Sequence, residues 1–365
     1  MTDRDRVATL AADLVRLDSR SSLSNLPVAA RIEAELAGFE VERLDYADAA
    51  GVPKRVLVAH RGGPGGIALS GHMDTVPATG WQDDPWSGAV DANGRLHGLG
   101  STDMKGPVAA CVVAAAGLPA DVPATLLITT DEETTKQGAT LLAERSELAR
   151  RAGLRGIVVA EPTRLVPVRG HRAAINFAAV ATGVQAHSST GRGVNANWAL
   201  IPFLVELQAI QARLRSEPSL QDAAYDPPFA DFNLVLDNHG TAINVTVGRA
   251  TARVKFRFSR ALDPEPIVDA VRAAADRAGL ALEVVRDGTP PEVEADHPMV
   301  RAAVAATGRE ATTAPFGTDA TRLNAIAPCI ILGPGDIAEA HTPAEGVALD
   351  DLAAAVPVFR QMLRG

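Results

Sequence analysis

Acidic and imidazole side chains cluster at several places along this chain, most of them directly after an apolar run that predicts a β-strand. The clusters are Gly71-His72-Met73-Asp74, Asp131-Glu132-Glu133, Glu161-Pro162-Thr163 and, after a longer loop, His341; a further acid, Asp103, precedes an apolar helical run. Loops at the carboxyl ends of strands in an open α/β sheet converge on one crevice, so these residues can meet in space. Two imidazoles and several carboxylates form a ligand set that suits Zn²⁺ or a similar divalent ion.

Each cluster also has a purely structural explanation, because Asp, Glu and Ser after a strand are typical of helix N-caps and turns. The prediction of a metal site therefore depends on their combination. His72 and Asp74 add a physical reason for it. A metal-bound imidazole needs a hydrogen bond at its second nitrogen, and a carboxylate two residues away can orient the ring.

The composition excludes several classes of protein. The chain has 365 residues, 47% of them hydrophobic, which is enough for a large core and, at about 100 to 200 residues per domain, predicts two domains. The formal net charge is −9 and no run of Lys or Arg could follow phosphates, so we expect no nucleic-acid partner. Cys111 and Cys329 both lie in apolar runs, which indicates buried thiols rather than a disulfide framework.

We expect a cytoplasmic protein without a membrane partner. The N-terminal residues are charged and then amphipathic, unlike a signal peptide. No apolar run approaches the ~20 residues that are needed to span a bilayer.

The elements that must position the polar clusters alternate between helix and strand. Helices are predicted at 106–118 and around 138–150, and strands at 124–130 and 156–160. This alternation is typical of βαβ units and a mainly parallel sheet. Two earlier apolar runs, 55–59 and 66–70, flank a glycine-rich segment and predict a β-hairpin.

The pattern changes after Val168, where strands at 174–182 and 250–259 and helices at 195–215 and 264–279 predict an antiparallel α+β unit. The parallel character then returns, with a strand at 329–332 and a closing helix at 349–363. We therefore predict an α/β fold in which a discontinuous catalytic domain, residues 1–168 and 288–365, has a mainly parallel sheet flanked by helices. An α+β domain with an antiparallel sheet, residues 169–287, is inserted into it.

Five motifs in this order resemble those of the M20 metallopeptidase and deacylase family, which includes acetylornithine deacetylases, succinyl-diaminopimelate desuccinylases and glutamate carboxypeptidases. The motifs are SGHMDTVP (70–77), GLGSTDMKG (98–106), TDEE (130–133), AEPT (160–163) and GPGDIAEAH (333–341). The resemblance spans nearly the whole chain, and five chance matches in order are improbable.

The resemblance implies a pair of divalent metal ions bridged by Asp103. One ion would also be held by His72 and Glu161, and the other by Glu133 and His341. We expect zinc, with cobalt and manganese as alternatives. Three carboxylates leave two divalent ions with one net positive charge, which a bridging hydroxide nucleophile would cancel.

The resemblance also gives roles to residues that do not bind the metals. Glu132 would be the general base, taking a proton from the bridging water and delivering it to the leaving amine. Asp74 would orient His72. A cis peptide bond is implied after Asp103.

The inserted domain contributes three further candidates and would act as a lid and dimerisation domain. Ala186-His187-Ser188-Ser189 resembles the Gly-His-Ser-Ser segment of acetylornithine deacetylases, in which the histidine polarises the substrate carbonyl and is commonly supplied across a homodimer interface. Asn244 would support the oxyanion, and Arg257 would bind a substrate carboxylate with its bidentate fork. Arg257 alternates with Phe256 and Phe258, so plain surface charge is its alternative role.

The predicted function is a two-metal hydrolase that cleaves the amide bond of a small N-acyl amino acid, as acetylornithine deacetylases or succinyl-diaminopimelate desuccinylases do. A dipeptidase or carboxypeptidase, and a non-catalytic ligand-binding relative, are the alternatives. Two GxGxxA matches, from Gly63 and Gly333, lack the βαβ context of a dinucleotide site. No Gly-x-Ser-x-Gly motif supports a serine hydrolase.

Overall fold

A computed structural model describes residues 1–364, and its backbone divides into two units. The first unit comprises Met1–His171, Pro291–Thr313 and the chain from Thr318 onward. The second comprises Arg172–Pro290 and the short segment Ala314–Gly317.

The strands are β1 (Glu40–Ala47), β2 (Pro53–Arg61), β3 (Ile67–His72), β4 (Ala89–Val90), β5 (Arg95–His97), β6 (Ala124–Thr129), β7 (Gly156–Val159), β8 (Val168–His171), β9 (Ala173–Thr182), β10 (Asp231–Asp237), β11 (Arg249–Phe258), β12 (Ala281–Arg286), β13 (Thr312–Ala314), β14 (Cys329–Ile331) and β15 (Gly346–Ala348). The helices are α1 (Asp3–Val15), α2 (Leu26–Glu33), α3 (Lys105–Ala116), α4 (Gln137–Arg145), α5 (Glu147–Ala152), α6 (Asn197–Ser216), α7 (Glu265–Arg277), α8 (Pro298–Thr307), α9 (Ala320–Leu323) and α10 (Leu349–Arg364). Short 3₁₀ helices lie at Ser188–Thr190 and Pro218–Leu220.

The main sheet of the first unit has the strand order β1-β2-β6-β3-β7-β14-β8-β13. Its centre is parallel, since β3 pairs in parallel with β6 and β7, and β14 pairs in parallel with β7. Both β3 and β6 are buried along their whole length, as expected for parallel strands covered on both faces. The predicted mainly parallel sheet is confirmed.

The predicted hairpin between 55–59 and 66–70 is wrong, because β6 lies between β2 and β3. Leu127 of β6 pairs with Val58 of β2 on one side and with Ser70 of β3 on the other. The mainly apolar β6, which is buried along its whole length, takes the interior position that its composition favours. β2 forms its hairpin with β1 instead, a strand whose alternating charged residues gave a weak apolar pattern.

Helix α3 is buried in the first unit except at its last residue, Ala116, and α1 and α10 pack against it. Its residues are small and apolar on all sides, which is typical of a helix at the centre of a core. The close approach of α3 to β3 requires Gly71, because a Cβ atom there would lie 2.7 Å from Val108 and 2.8 Å from Met104. Arg360 of α10 donates two hydrogen bonds to Asp3 of α1, at 2.5 and 2.9 Å.

The second unit is a four-stranded antiparallel sheet in the order β10-β11-β9-β12, with α6 and α7 contributing to its apolar core. Phe256 and Phe258 of β11 point into that core and stack with their ring centres 5.4 Å apart. This arrangement confirms the predicted α+β unit with an antiparallel sheet. β10 and β12 are its edge strands.

A small antiparallel sheet, in the order β15-β5-β4, completes the first unit. It pairs the residues just after His341 with those just before Asp103: Gly346 lies opposite His97, and Val347 opposite Leu96. Two distant parts of the chain are thereby held together. Within residues 1–364, none of the helices has both the length and the apolar character needed to cross a membrane.

Candidate metal centre

The candidate site lies where three neighbouring parallel strands of the first unit end. His72 is the last residue of β3, Glu132 and Glu133 follow β6, and Glu161 follows β7. Because parallel neighbours end at the same edge of the sheet, their polar side chains converge there. His72 and Glu161 are buried, with 1 and 5% of their surface exposed.

Asp103 lies between the two predicted metal-binding histidines. Its Oδ1 is 3.1 Å from Nε2 of His72, and its Oδ2 is 3.2 Å from Nε2 of His341. His341 Nε2 is also 3.0 Å from Glu133 Oε1. Each oxygen of the Asp103 carboxylate therefore faces a different imidazole. The peptide bond between Asp103 and Met104 is cis, as the resemblance implies.

Two groups of ligand atoms are close enough together to hold a metal ion. One is formed by His72, Asp103 and Glu161, and the other by Asp103, Glu133 and His341. Within each group the ligand atoms lie within 4.8 Å of one another, and Asp103 belongs to both. One imidazole and two carboxylates per group are donors that suit Zn²⁺ and related divalent ions. The residues present therefore fit a pair of such ions.

Asp74 joins the loop after β3 to the loop after β6. Its buried carboxylate accepts hydrogen bonds from the backbone N–H of Glu132 (3.1 Å) and of Glu133 (3.3 Å), and from the Ser21 hydroxyl (2.7 Å). Nδ1 of His72 is 3.0 Å from the Asp74 backbone oxygen and 3.5 Å from its carboxylate. With Nδ1 engaged in this way, Nε2 is left to face Asp103.

The closely spaced carboxylates and imidazoles shift one another's pKa values. Burial, together with the Asp103 charge, raises the pKa of Glu161 well above its usual range and that of Glu133 to about 7. Burial alone would lower the pKa of His72, but its hydrogen bonds to Asp103 and Asp74 outweigh this and raise it. Hydrogen bonds to Asp103 and Glu133 raise the pKa of His341 to about 10. A cation that bound to these glutamates and histidines would displace the protons that the raised pKa values favour.

Glu132 forms an ion pair that the sequence analysis did not predict. Its carboxylate is 3.1 Å from the Lys136 ammonium, and the two side chains are only 10 and 11% exposed. Lys136 has a left-handed backbone (φ 54°), and its N–H donates to the Asp131 oxygen at 2.7 Å. The spacing of four residues between Glu132 and Lys136 was the available signal, although at this helix start the pair depends on the unusual backbone.

Asp319 is a second acid that sequence reasoning missed. It is buried and accepts a hydrogen bond from the Thr129 hydroxyl. Burial and the nearby Glu132 charge raise its pKa to about 7, against the opposing effect of Lys136. Nothing in the local sequence Gly-Thr-Asp-Ala distinguishes it from a helix-start residue.

The three remaining candidates belong to the second unit. His187 is exposed, with Nδ1 2.7 Å from the Ser189 hydroxyl, and pairs with Val245 in an isolated bridge. The Asn244 backbone oxygen accepts the Ser188 N–H at 3.0 Å, so His187 and Asn244 lie on adjacent segments. Arg257 is half-buried on β11 and points away from the core side of Phe256 and Phe258.

An α/β sheet that gathers imidazole and carboxylate donors at the ends of its parallel strands is typical of a metal-dependent hydrolase. Comparison with known proteins identifies the family within this class. The chain belongs to peptidase family M20/M25/M40, whose sequence profile matches residues 68–365. It is therefore a metal-dependent amidohydrolase.

Known relatives agree with this assignment. The acetylornithine deacetylase of Myxococcus xanthus is 33% identical over 367 residues, covering 94% of this chain and 93% of the relative. Among solved structures, the dipeptidase Dug1p of Saccharomyces cerevisiae is similar with a TM-score of 0.78 at 15% identity, covering 99% of this chain and 97% of that one. The YXEP protein of Bacillus subtilis, a dinuclear metal-binding peptidase of the M20 family, has a TM-score of 0.64 at 17% identity, with coverages of 99 and 98%. At these identities the two structures establish the shared fold.

Proposed function

We propose that this protein is a two-metal hydrolase that removes the acyl group from a small N-acylated amino acid, in the manner of acetylornithine deacetylase. The observation that carries the proposal is the position of Asp103, which belongs to both groups of ligand atoms. The likeness to the Myxococcus xanthus deacetylase over nearly the full length of both chains supports the substrate class.

His72, Asp103 and Glu161 would hold one divalent ion, and Asp103, Glu133 and His341 the other. Zinc is the ion we expect, with cobalt and manganese as alternatives. When bound, such a pair supplies Lewis-acid polarisation of the substrate carbonyl and activation of a water molecule.

Within this proposal Glu132 moves the proton. Hydrolysis breaks the bond between the acyl carbon and nitrogen, adds the water oxygen to the carbon, and needs one proton transferred to the leaving amine. The Glu132 carboxylate takes that proton from the water and delivers it to the nitrogen. The ion pair with Lys136 restricts the rotamers of Glu132, and Asp74 fixes the backbone of residues 132 and 133.

The second unit would contribute the substrate contacts. His187 would donate a hydrogen bond to the oxygen that becomes negatively charged, and Asn244 would support the same oxyanion. Arg257 would bind the carboxylate of the amino-acid part through its two-pronged guanidinium. The adjacent segments that carry His187 and Asn244 support a joint role.

We also propose a homodimer formed through the second unit. Large apolar side chains are exposed along α6, with Trp198, Ile201 and Val205 at 72, 46 and 60%. Leu234 and Val235 are exposed on the edge strand β10, and a groove of about 400 Å³ lies between that strand and α6. Exposed apolar surface beside an unpaired strand edge is suited to a second copy of the same surface. A cytoplasmic location and a role in amino-acid biosynthesis belong to the same proposal and rest on the likeness to acetylornithine deacetylase.

A substrate panel tests the function. Purified protein loaded with Zn²⁺ or Co²⁺ is assayed against N-acetyl amino acids, N-succinyl amino acids and dipeptides, with a chelator-treated sample as control. We expect the highest kcat/KM for an N-acetyl amino acid, and loss of turnover after chelation. Faster cleavage of dipeptides would make the protein a peptidase. Bound metal without turnover of any substrate would support the ligand-binding alternative, which the presence of Glu132 argues against.

A further inference from the structure

Glu345 is a buried carboxylate that is hydrogen-bonded to the backbone of Asp103, the residue that belongs to both groups of ligand atoms. It is 1% exposed and follows His341 by four residues in the same loop. Its Oε1 accepts hydrogen bonds from the backbone N–H of Thr102 at 2.9 Å and of Asp103 at 3.0 Å. One side chain therefore connects the loop that carries Asp103 to the loop that carries His341.

Further contacts make this connection rigid. The Thr102 hydroxyl donates to the Gly346 oxygen at 3.0 Å, and the Lys105 N–H donates to the Gly100 oxygen at 2.8 Å. Gly346 also pairs with His97 in the small sheet. These contacts fix the backbone around Asp103. The buried N–H groups of Thr102 and Asp103 would lose their acceptor if the Glu345 carboxylate were removed.

The requirement for a fixed backbone follows from what Asp103 does. Its two oxygens lie 3.1 and 3.2 Å from two different imidazoles, so rotation of the carboxylate toward one would move it from the other. A residue with two partners tolerates less displacement than one with a single partner. Residues that orient metal ligands by hydrogen-bonding to them commonly contribute about 10–100-fold to metal affinity.

We propose that Glu345 is a positioning residue for the metal centre, acting through its hydrogen bonds to the backbone of Thr102 and Asp103. The inference rests on the proposed function because it presumes that Asp103 binds metal. A carboxylate charge is not needed for this role, since only an acceptor oxygen reaches the two N–H groups.

Two variants with side chains of similar length distinguish a positioning role of Glu345 from a requirement for its negative charge. Glu345→Gln keeps an acceptor oxygen, whereas Glu345→Met removes it. Glu42→Met is the matched control, because Glu42 also accepts two backbone N–H groups, those of Glu147 and Leu148, outside the metal centre. Zinc affinity is measured by calorimetry of the metal-free proteins, and folding by circular dichroism.

We expect Glu345→Met to weaken zinc binding by about 10–100-fold, and Glu42→Met to leave it unchanged. Glu345→Gln should stay within about threefold of the wild type, because the amide oxygen can accept the same hydrogen bonds. The inference is overturned if folded Glu345→Met binds zinc as tightly as the wild type, or if the Gln variant loses as much affinity as the Met variant.

Hydrogen exchange of the wild-type protein keeps the inference testable if Glu345→Met does not fold. The amides of Thr102 and Asp103 should exchange slowly in the metal-free protein, and rapid exchange of both would overturn the inference. A wild type that binds no zinc would instead overturn the proposed function. The two failures are therefore distinguishable.

Discussion

The carboxylate of Glu132 and the ammonium of Lys136 form an almost buried ion pair beside the residues that would bind metal. A general base, the role proposed for Glu132, must lie at a fixed distance from the proton that it accepts, and the ion pair with Lys136 restricts the position of this carboxylate. Lys136 therefore links a backbone conformation, its left-handed φ, to the position of the Glu132 carboxylate.

Truncation of Glu132 tests its proposed role as general base directly. Glu132→Ala should lower kcat by about 10²–10⁴-fold, the usual contribution of general acid–base catalysis, while zinc content stays at the wild-type level. Steady-state kinetics and elemental analysis measure the two quantities. Glu144→Ala, at an exposed carboxylate on α4, is the control and should not change kcat. Normal turnover by Glu132→Ala would refute the assignment.

Replacement of Lys136 tests the ion pair. Lys136→Met leaves a nearly buried carboxylate without this partner, so we expect a loss of about 1–3 kcal/mol in the free energy of unfolding of the metal-free protein. We also expect kcat to fall about tenfold with a smaller change in KM, because the change affects the base rather than substrate binding. Lys136→Arg should recover part of both losses. If the Met variant and the wild type had equal kcat and KM, the proposed role of Glu132 would not depend on its ion pair with Lys136.

At the scale of elements, the hairpin of β1 and β2 supports the loop that carries Glu132. Tyr46 and Lys54 lie directly opposite each other in this hairpin, and both contact the buried carboxylate of Asp131. The Tyr46 hydroxyl is 2.6 Å from one oxygen, and the Lys54 ammonium is 2.9 Å from the other. Asp131 itself has a left-handed backbone (φ 63°). A strand pair outside the parallel core thus helps to hold the loop at an unusual conformation.

The two contacts should differ in their contribution to stability. Tyr46→Phe removes one hydrogen bond to a charged group and should lower the free energy of unfolding by about 1.5–3 kcal/mol. Lys54→Met leaves the Asp131 carboxylate buried without its counter-charge and should cost about 3–5 kcal/mol. Urea denaturation of both variants measures the difference. Equal losses would mean that Asp131 is not ionised in the folded protein.

The residues of the candidate metal centre stand out in the sequence because each belongs to a short motif at the end of a strand or the start of a helix. His72, Glu133 and Glu161 follow strands whose apolar runs were recognisable, and the sheet then brings them together. β1 was missed because its alternating charges hide its strand pattern, and β6 was misplaced because strand order depends on contacts distant in sequence.

The supporting residues could not be predicted for a related reason. Lys54 reaches Asp131, and Glu345 reaches Thr102, only through the tertiary fold, and no local pattern marks either contact. Lys136 required a left-handed backbone that composition does not indicate for a lysine.

At the scale of the whole molecule, association can be tested on the two edges of the second sheet. Leu234→Glu on β10 and Ile201→Glu on α6 place a charge in the proposed interface and should convert a dimer to a monomer in analytical ultracentrifugation. Val285→Glu on β12, the opposite edge strand, changes an equally exposed residue and should leave the dimer intact. A wild-type monomer, or a dimer disrupted only by Val285→Glu, would contradict the proposed surface.

Removal of metal should make stability depend on pH. In the metal-free protein the pKa of Glu133 is raised from 4.5 to about 7 by burial, and that of His341 from 6.5 to about 10 by its hydrogen bonds to Asp103 and Glu133. Both groups hold protons in the folded state that the unfolded chain releases, so stability is lost as pH rises through these two ranges. The lowered pKa of Asp103 acts in the opposite sense only at acidic pH, whereas the pKa of Lys105, lowered by burial to about 7, offsets part of the loss above neutral pH.

We therefore expect the Tm of chelator-treated protein to be lower at pH 9 than at pH 6, as measured by scanning calorimetry. Saturating zinc should raise Tm most at the higher pH, because the ligands are then free of protons. A Tm of the metal-free protein that rises between pH 6 and pH 9 would contradict the proton assignment.

The attachment of α10 to α1 and α3 has a consequence for synthesis of the protein on the ribosome. Chains emerge from their N-terminus, and domains generally fold as units in that order. The inserted unit is almost continuous in sequence, whereas the first needs its last helix to cover α3. A nascent chain therefore carries four of the five proposed metal ligands long before His341 emerges, and we expect the proposed pair of ions to bind only after His341 and α10 have been synthesised.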